Sequence, residues 1–273
     1  MINLKKLLTN REKIKEQEPL IHAITNPLAI NMLANAILFQ GAKAICAEHP
    51  DEMRDIVPKA KALSLNIGNI TDARIKSIEI SSRLANNKNI PIIIDLVGIG
   101  VSKLRYDLSL KLLGQYKYSI IKGNSSEILA LSGKISNAKG VDVGCEDKIS
   151  DENIEEMIKI ASKLSIKYKT TVLITGATDI LVKEKDYYLI KNGCEELSKI
   201  TATGCMLTGL ISTFLSVTDE INASLLGLLI LEISAELSKK DKPYSFFVNL
   251  MDNIATIKNE TIEKSAKIKK GIL

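Results

Sequence analysis

The sequence predicts an α/β fold in which a mostly parallel, doubly wound sheet is flanked by helices. Short apolar segments rich in β-branched residues alternate along the chain with longer segments of helical periodicity, as in βαβ units. Residues 90–95 (IPIIID) form a continuous apolar run typical of a strand that is buried on both faces. Because no stretch rich in Pro or Gly divides the chain, a single domain over residues 1–273 is expected.

The remaining elements follow from hydrophobic periodicity and turn residues. Further strands are predicted at 19–24, 44–47, 62–67, 118–121, 170–175, 178–183 and 186–191. The last two strands are predicted to pair antiparallel across a tight charged turn. Helices are predicted at 2–16, 27–39, around 52–57, and at 71–87, 102–113, 125–131, 154–168, 203–215, 223–239 and 244–267. The irregular stretch 136–148 is predicted to be a surface loop.

The predicted helix 27–39 is apolar on nearly every face, which predicts that it is buried. Asn31 and Asn35 are four residues apart and therefore share one face, and buried amides need hydrogen-bond partners. Two explanations stay open. These amides bond to another helix, or Asn26 and its neighbours line a polar ligand pocket.

Composition excludes several function classes. The chain has 45% hydrophobic and 25% charged residues, as an ordinary globular protein does. The net charge of +5 comes from dispersed lysines, and with no Trp and 4% aromatic residues no nucleic-acid partner is expected. The most apolar window, 223–231, is interrupted by Glu232 and is too short to span a bilayer, so no membrane partner is expected. The basic cluster 264–270 is predicted to be a solvated helix end.

The cysteines suggest a reducing compartment. Cys46, Cys145, Cys194 and Cys205 show no C-x-x-C spacing, and only two histidines are present, so a zinc site is not expected. Free thiols favour a cytoplasmic location. The N-terminal segment is charged and amphipathic, and no signal peptide is predicted there.

A turn of small residues, 201–205 (TATGC), leads directly into an apolar helix. The first backbone N–H groups of such a helix, together with its dipole, form a site for an anion, and phosphate is a common ligand there. Cys205 lies where a reactive group would face that anion. The alternative is a structural helix start, with Thr203 as the N-cap and Cys205 as a small core residue.

Polar residues also follow two predicted strands. Asp95 ends the 90–95 strand, and acidic residues at the carboxyl ends of parallel strands often face a ligand or metal. After the next strand, Lys122, Asn124 and Glu127 place a cation, an amide and a carboxylate together. This trio suits a phosphate held with hydrated Mg²⁺, although Glu127 also suits the first turn of a helix and Asp95 a helix cap.

Two familiar nucleotide motifs are missing. No G-x-x-x-x-G-K-[ST] sequence occurs, so a P-loop is excluded. Gly98 and Gly100 lack the third glycine of a dinucleotide-binding turn. From the residues alone, an α/β enzyme that handles an anionic ligand is expected.

Several segments together resemble the hydroxyethylthiazole kinase family of the ribokinase-like superfamily. They occur in the family's order and spacing from about residue 19 to residue 250. These segments are 19–26 (PLIHAITN), 65–68 (LNIG), 92–100 (IIIDLVGIG), 121–127 (IKGNSSE), 173–176 (LITG) and 199–207 (KITATGCML).

The resemblance implies that ATP, with Mg²⁺, phosphorylates the primary hydroxyl of 4-methyl-5-(2-hydroxyethyl)thiazole in thiamine salvage. It also implies a homotrimer with substrate sites at subunit boundaries. The backbone of 202–205, including Gly204, would bind the transferred phosphoryl group, and Cys205 stands where related sugar kinases place an aspartate base. The other implied contacts are Lys122, Thr175, Asn124 and Thr203 for ATP, Asp95 and Glu127 for Mg²⁺, and Asn26, Cys46 and Ala202 for the thiazole.

The chain departs from the family pattern within these segments. Ala202 replaces a glycine, so the backbone there must either keep a negative φ angle or carry strain. Lys122 replaces an arginine, which keeps the charge but loses bidentate contact with phosphate. The remaining departures are Leu96 for a proline, Cys46 for a methionine, and 242–246 (KPYSF) for Gly-Pro-Gly-Ser-Phe.

As a mechanism, we expect positioning and charge neutralisation, with Cys205 as the base. The helix N-terminus is expected to lower the pKa of its thiol. Three alternatives stay open. The chain could phosphorylate another small alcohol, such as hydroxymethylpyrimidine or pyridoxal. It could be an ATP-dependent lyase that repairs hydrated nicotinamide cofactors, or a binding protein that has lost activity.

Overall fold

A computed structural model of the chain describes residues 2–134, 149–150 and 152–273. The predicted loop 136–148 lies outside them. The strands are β1 Leu20–Ile24, β2 Lys43–Ile45, β3 Ala62–Asn66, β4 Ile92–Asp95, β5 Ile120–Asn124, β6 Thr171–Thr175, β7 Asp179–Lys183, β8 Asp186–Ile190 and β9 Ile268–Ile272. The α-helices are α1 Leu4–Gln17, α2 Ile30–Phe39, α3 Met53–Ile56, α4 Asp72–Asn87, α5 Lys103–Gln115, α6 Ser125–Leu131, α7 Ile154–Tyr168, α8 Thr203–Leu215, α9 Glu220–Leu237, α10 Pro243–Thr256 and α11 Asn259–Ser265.

Within the described residues, the strands form one sheet in the order β2-β1-β3-β4-β5-β6-β7-β8-β9. Neighbouring strands from β2 to β6 are parallel. The pairs β6–β7, β7–β8 and β8–β9 are antiparallel. The predicted mostly parallel sheet is confirmed, and so is the antiparallel hairpin of β7 and β8.

Helices cover both faces of the sheet, and each face has its own apolar layer. Along β4, Ile93 belongs to one layer and Ile92 and Ile94 to the other, because successive side chains of a strand point to opposite faces. The first layer contains apolar residues of α1, α2, α8, α9, α10 and α11. The second contains residues of α3, α4, α5, α6 and α7. This two-sided cover explains why the parallel strands are continuous apolar runs.

The helices α8 and α9 are buried along most of their length and pack closely on each other. A Cβ atom at Gly227 of α9 would lie 2.5 Å from Cγ1 of Ile211 in α8. On the other side of α8, a Cβ atom at Gly209 would lie 2.8 Å from Cγ of Leu33 in α2. Because two glycines permit these approaches, α8 is held firmly between α2 and α9. In the part of the chain that the structure describes, none of the helices is long and apolar enough to cross a membrane.

The C-terminus differs from its prediction. The helix predicted at 244–267 is divided into α10 and α11, and the basic tail continues as edge strand β9 instead of a helix end. The backbone of β9 bonds to β8, and a Cβ atom at Gly271 would lie 2.1 Å from Cζ of Tyr187. Pairing with the open edge of β8 therefore overrides the local helical periodicity.

The prediction that α2 is buried on all sides was also wrong. Leu28, just before the helix, is 74% exposed, and Leu38 is 51% exposed, so one face of α2 is not covered by any of the described residues. Asn35 Nδ2 donates to Asn31 Oδ1 at 3.1 Å. The two amides therefore bond to each other within one exposed face and not to another helix.

The α8–α9 contact leads to a stability prediction. Gly227→Ala should lower the free energy of unfolding by about 1–3 kcal/mol, because the added methyl group overpacks a helix contact. The new Cβ would also lie 3.1 Å from the backbone nitrogen of Ile211, which cannot rotate away. Urea unfolding measures the change.

The matched control is Gly114→Ala in α5, where the added Cβ has no atom of another described segment within 4 Å. This substitution should raise the free energy of unfolding by about 0.5–1 kcal/mol, since alanine has a higher helix propensity than glycine. Equal effects of the two substitutions would contradict the packing explanation.

Candidate active site

The strand order places the predicted site residues in sequence along one edge of the sheet. Cys46 is the first residue after β2 and Asn26 the second residue after β1. Asp95 ends β4, Lys122 lies on β5, and Thr175 ends β6. The carboxyl ends of these parallel strands share this edge, which is where open α/β sheets bind ligands. The residues predicted for thiazole, phosphoryl group and nucleotide therefore follow one another in that order.

Asp95 is the centre of a buried polar cluster. Asn66, Asp95 and Lys122 are aligned across β3, β4 and β5. Asp95 is 1% exposed, and its Oδ2 accepts from Lys122 Nζ and Thr208 Oγ1, each at 2.9 Å, and from Asn66 Nδ2 at 3.4 Å. Its Oδ1 is also buried and has no partner among the described residues. One oxygen thus orients the carboxylate, and the other is left for a ligand.

Lys122 is a buried cation. Burial alone would lower its pKa, but the charge of Asp95 and the hydrogen bond to it, helped by Cys205 and Glu127, raise the pKa overall. Lys122 therefore stays protonated near neutral pH. A Cβ atom at Gly204 would lie 3.6 Å from Lys122 Nζ, so this cation lies directly below the first turn of α8.

Cys205 is only 6% exposed, and its Sγ accepts from Asn26 Nδ2 at 3.2 Å and from Asn66 Nδ2 at 3.3 Å. Burial, and then the charge of Asp95, raise the pKa of this thiol to about 11, although Lys122 and the two amides act in the opposite direction. The prediction that the helix start lowers this pKa was wrong, because desolvation of the thiolate outweighs the helix end.

Glu127 is held by backbone groups. Its Oε1 accepts from Gly98 N and its Oε2 from Asn124 N, both at 2.7 Å. Asn124 Oδ1 accepts from Glu127 N at 2.9 Å, which completes a capping box at the start of α6. Burial, and then the charge of Asp95, raise the pKa of Glu127 to about 7. The structural role is thus present, and the Mg²⁺ role stays a prediction.

The start of α8 differs from the predicted cap. Ala202, not Thr203, occupies the N-cap position, with φ of 65° and ψ of 9°, and no side chain caps the helix. Thr203 is the first helical residue, and its Oγ1 donates to the carbonyl of Leu197 at 3.1 Å. Gly204 is exposed. The positive φ angle decides for the strained one of the two alternatives at Ala202, and the first turn of α8 faces the site without a capping side chain.

The predicted site residues furthest from Asp95 along the sheet are less buried. Thr175 is half-buried and is aligned with Asn124 on β5, so both lie on the side predicted for ATP. Cys46 is also half-buried, and burial raises the pKa of its thiol. Cys46 and Ala202 pack against the first apolar layer.

Sequence reasoning missed two members of the cluster, Asn66 and Thr208. A signal for each was available. Asn66 belongs to the resembling segment 65–68 at the end of a predicted strand. Thr208 lies four residues after Gly204, and its Oγ1 also donates to the Gly204 carbonyl at 3.0 Å on the same helix face.

Comparison with known proteins identifies the family. A model of the hydroxyethylthiazole kinase family matches residues 11–260. The chain is 45% identical over 259 residues to hydroxyethylthiazole kinase 2 of Clostridium botulinum (strain 657 / Type Ba4), covering 94% of this chain and 98% of the relative. The chain belongs to the hydroxyethylthiazole kinase family.

Solved structures agree with this membership. The structure of a hydroxyethylthiazole kinase protein from Pyrococcus horikoshii OT3 matches with a TM-score of 0.87 and 31% identity, covering 98% of this chain and 99% of that chain. A ribokinase-like superfamily protein from Enterococcus faecalis V583 matches with a TM-score of 0.60 and 14% identity over 88% of each chain, a likeness of fold alone. The predicted ribokinase-like fold and the prediction of a kinase that acts on an alcohol are confirmed for this hydroxyethylthiazole kinase family member.

The strain at Ala202 can be tested by substitution. Ala202→Gly should raise the free energy of unfolding by about 0.5 kcal/mol. The left-handed conformation costs alanine about 1–2 kcal/mol, and the greater freedom of unfolded glycine cancels about half of that gain. The control is Ala255→Gly at an exposed position in α10, which should lose about 1 kcal/mol. If thermal unfolding shows that both variants lose the same stability, the explanation by strain is contradicted.

The protonation state of Cys205 predicts how it reacts. With a pKa of about 11, the thiol form dominates at neutral pH, and the thiolate appears as the pH rises. Alkylation of Cys205 by iodoacetamide, followed by mass spectrometry, should accelerate about tenfold per pH unit between pH 7 and 9. Free cysteine in the same tube, with a pKa of about 8.5, should begin to level off near the top of this range. A plateau for Cys205 below pH 8 would show a lowered pKa instead.

Proposed function

We propose that the chain transfers the γ-phosphoryl group of ATP to the primary hydroxyl of 4-methyl-5-(2-hydroxyethyl)thiazole, a step of thiamine salvage. Membership of the hydroxyethylthiazole kinase family supports the reaction. The observation that carries the proposal is the placement of the buried Lys122 cation directly below the uncapped first turn of α8. A phosphoryl group at this point meets a fixed positive charge and backbone N–H donors together.

The substrates follow the order of strands along the sheet edge. Asn26, Cys46 and Ala202 are proposed to contact the thiazole, on the side of β1 and β2. Thr175, Asn124, Lys122 and Thr203 are proposed to contact ATP, on the side of β5 and β6. The acceptor hydroxyl and the γ-phosphoryl group then meet between these two sides, next to Gly204 and Cys205.

Catalysis would rest on positioning and charge neutralisation. The transition state of phosphoryl transfer spreads negative charge over three equatorial oxygens. Lys122 and the N–H groups of residues 203–205 would stabilise this charge, and they are already in place because β5 and α8 are buried, rigid elements. The hydroxyl proton leaves late in a loose transition state, so a strong base is not required.

The raised pKa of Cys205 changes the role that we assign to it. At neutral pH almost every molecule carries the thiol form, so we propose that Cys205 shapes the space for the acceptor hydroxyl and is not an ionised base. Its sulfur is held from two directions by Asn26 and Asn66. The raised pKa of the Cys205 thiol therefore does not support the role of base that an aspartate has in related sugar kinases.

The residues present fit a hydrated Mg²⁺. Asp95 Oδ1 is buried and has no partner, so it is a ready ligand atom. Among the described residues no group of three or more His, Cys, Asp or Glu side chains could enclose a metal. Mg²⁺ usually takes only one or two carboxylates plus phosphate oxygens and water. Asp95, with Glu127 beside it, would hold the ion, which would neutralise charge on the phosphates of ATP.

One assay tests the main proposal. Purified protein, ATP and Mg²⁺ are incubated with the thiazole alcohol, hydroxymethylpyrimidine or pyridoxal, and both ADP and the phosphorylated product are measured. We expect ADP and thiazole phosphate in equal amounts with the first alcohol. No product at millimolar thiazole would rule out the proposal, and product with another alcohol alone would move the chain to that substrate. A lyase would release ADP with a hydrated nicotinamide cofactor, without a phosphorylated alcohol.

Lys122 can be tested separately. Lys122→Met should lower kcat/KM about 100-fold or more, because the charge that faces the phosphoryl group is lost. It should also destabilise the protein by about 3–5 kcal/mol, since Asp95 stays buried without its cation. Lys122→Arg is the matched control, which keeps the charge and should retain most of the rate. A folded Lys122→Met variant within tenfold of the parent rate would contradict this role.

We further propose a homotrimer with sites at subunit boundaries, in which residues 1–273 form one domain. The exposed apolar face of Leu28 and Leu38 supports an interface, and Leu28 is two residues from Asn26. A monomer mass by light scattering at micromolar concentration would contradict the assembly. We expect the protein to act in the cytoplasm, which the free thiols of Cys46, Cys194 and Cys205 support.

A further inference from the structure

Two buried carboxyl groups lie outside the site described above. Asp179 is the first residue of β7 and is 4% exposed, and Glu232 lies on α9 and is 5% exposed. The two side chains lie close enough to form a hydrogen bond, and each shifts the pKa of the other. The Oε2 atom of Glu232 is buried and accepts no hydrogen bond from an amide, hydroxyl or amine of the described residues.

Such a pair shares one proton, because two carboxylates in contact away from water cannot both be charged at an acceptable cost. Burial raises the pKa of both groups, and the hydrogen bond between them lowers the pKa of Asp179 and raises that of Glu232. The nearby charge of Glu236 favours neutral Glu232, and Lys122 favours ionised Asp179. These influences favour the proton on Glu232, from which it can be donated to the carboxylate of Asp179.

The acceptor carboxylate holds a turn at the nucleotide end of the sheet. Asp179 Oδ1 accepts from the backbone N–H of Gly176 at 2.9 Å. Gly176 follows Thr175, the last residue of β6 and one of the proposed contacts of ATP. A continuous set of contacts thus runs from α9 through Glu232, Asp179 and Gly176 to the nucleotide side.

The same helix encloses this pair. One turn after Glu232, Glu236 accepts from the backbone N–H of Gly193 and from Lys267 Nζ, each at 3.0 Å. A Cβ atom at Gly193 would lie 3.4 Å from Cγ of Glu232, so the loop after β8 packs directly on the Glu232 side chain. This cover keeps water away from the hydrogen bond and makes loss of the donor costly.

We propose that Asp179 and Glu232 are positioning residues for the nucleotide: the proton that they share ties the turn 176–178 to α9 and holds Thr175 in place for ATP. The proposal rests on the nucleotide side assigned above. It predicts that a hydrogen-bond donor at residue 232, and not a negative charge, is what the turn requires.

Two substitutions separate donor from charge. Glu232→Gln keeps a donor of the same shape without an ionisable group, and Glu232→Met keeps the length but removes the donor. By calorimetry, Glu232→Gln should bind ADP within about threefold of the parent protein, and Glu232→Met roughly tenfold more weakly or worse. In turnover with ATP, Glu232→Met should raise the KM for ATP and leave the KM for the thiazole alcohol unchanged.

The control is Ser234→Ala on the same helix, since the buried Ser234 hydroxyl has no partner within the described residues. It should leave ADP binding unchanged. Infrared difference spectra of parent protein and Glu232→Gln in neutral buffer test the proton directly, and they do not depend on whether Glu232→Met folds. The parent should show the C=O band of a protonated carboxyl that Glu232→Gln lacks.

Three results would overturn the inference: no such band, parent-like ADP binding by Glu232→Met, or equal weakening in the Gln and Met variants. Parent protein that binds no ADP would overturn it as well. If ADP binding follows the donor at 232 but no thiazole phosphate forms, the proposed function fails and this inference stands.

Discussion

The buried ion pair of Asp95 and Lys122 is the interaction on which the rest of the site depends. Neither charge would be tolerated alone at this depth, and the pair persists because Asn66 and Thr208 also donate to the same carboxylate oxygen. Together with burial, the charge of Asp95 raises the pKa of Cys205 and of Glu127. One ion pair thus helps to decide which neighbouring groups are neutral, and it leaves Asp95 Oδ1 for a ligand.

The fold supplies this pair with a rigid anion site. Gly209 and Gly227 allow α8 to lie close to α2 and α9, so the first turn of α8 is fixed above Lys122. The cost of the arrangement lies at Ala202, which is held in a conformation that favours glycine. Strain of this kind persists where the surrounding packing over-determines it, and it is common where a backbone faces a ligand. The helix α9 has two roles. It packs on α8, and its Glu232 contacts Asp179, which holds the turn at Gly176.

The amino-acid sequence by itself determined strands β1 to β8, most of the helices and the family. Alternating β-branched and helical segments predict a parallel sheet. Asp95, Lys122 and Thr175 then follow as polar residues at strand ends, because the carboxyl ends of parallel strands share one edge. The small-residue turn before Cys205 likewise predicts a helix start that faces an anion. These features are local, and each is contained in a few consecutive residues.

Only the tertiary structure decided the features that depend on distant neighbours. The pKa of Cys205 rises because strands and helices from across the chain bury it, whereas the helix start alone predicts a fall. Residues 268–272 form a strand because β8 offers an open edge, and α2 keeps an exposed face because none of the described residues covers it. The contact of Asp179 with Glu232 joins residues far apart in sequence, in segments that carry no motif for it. Burial and long-range contact set protonation and pairing, and neither can be read from the order of residues.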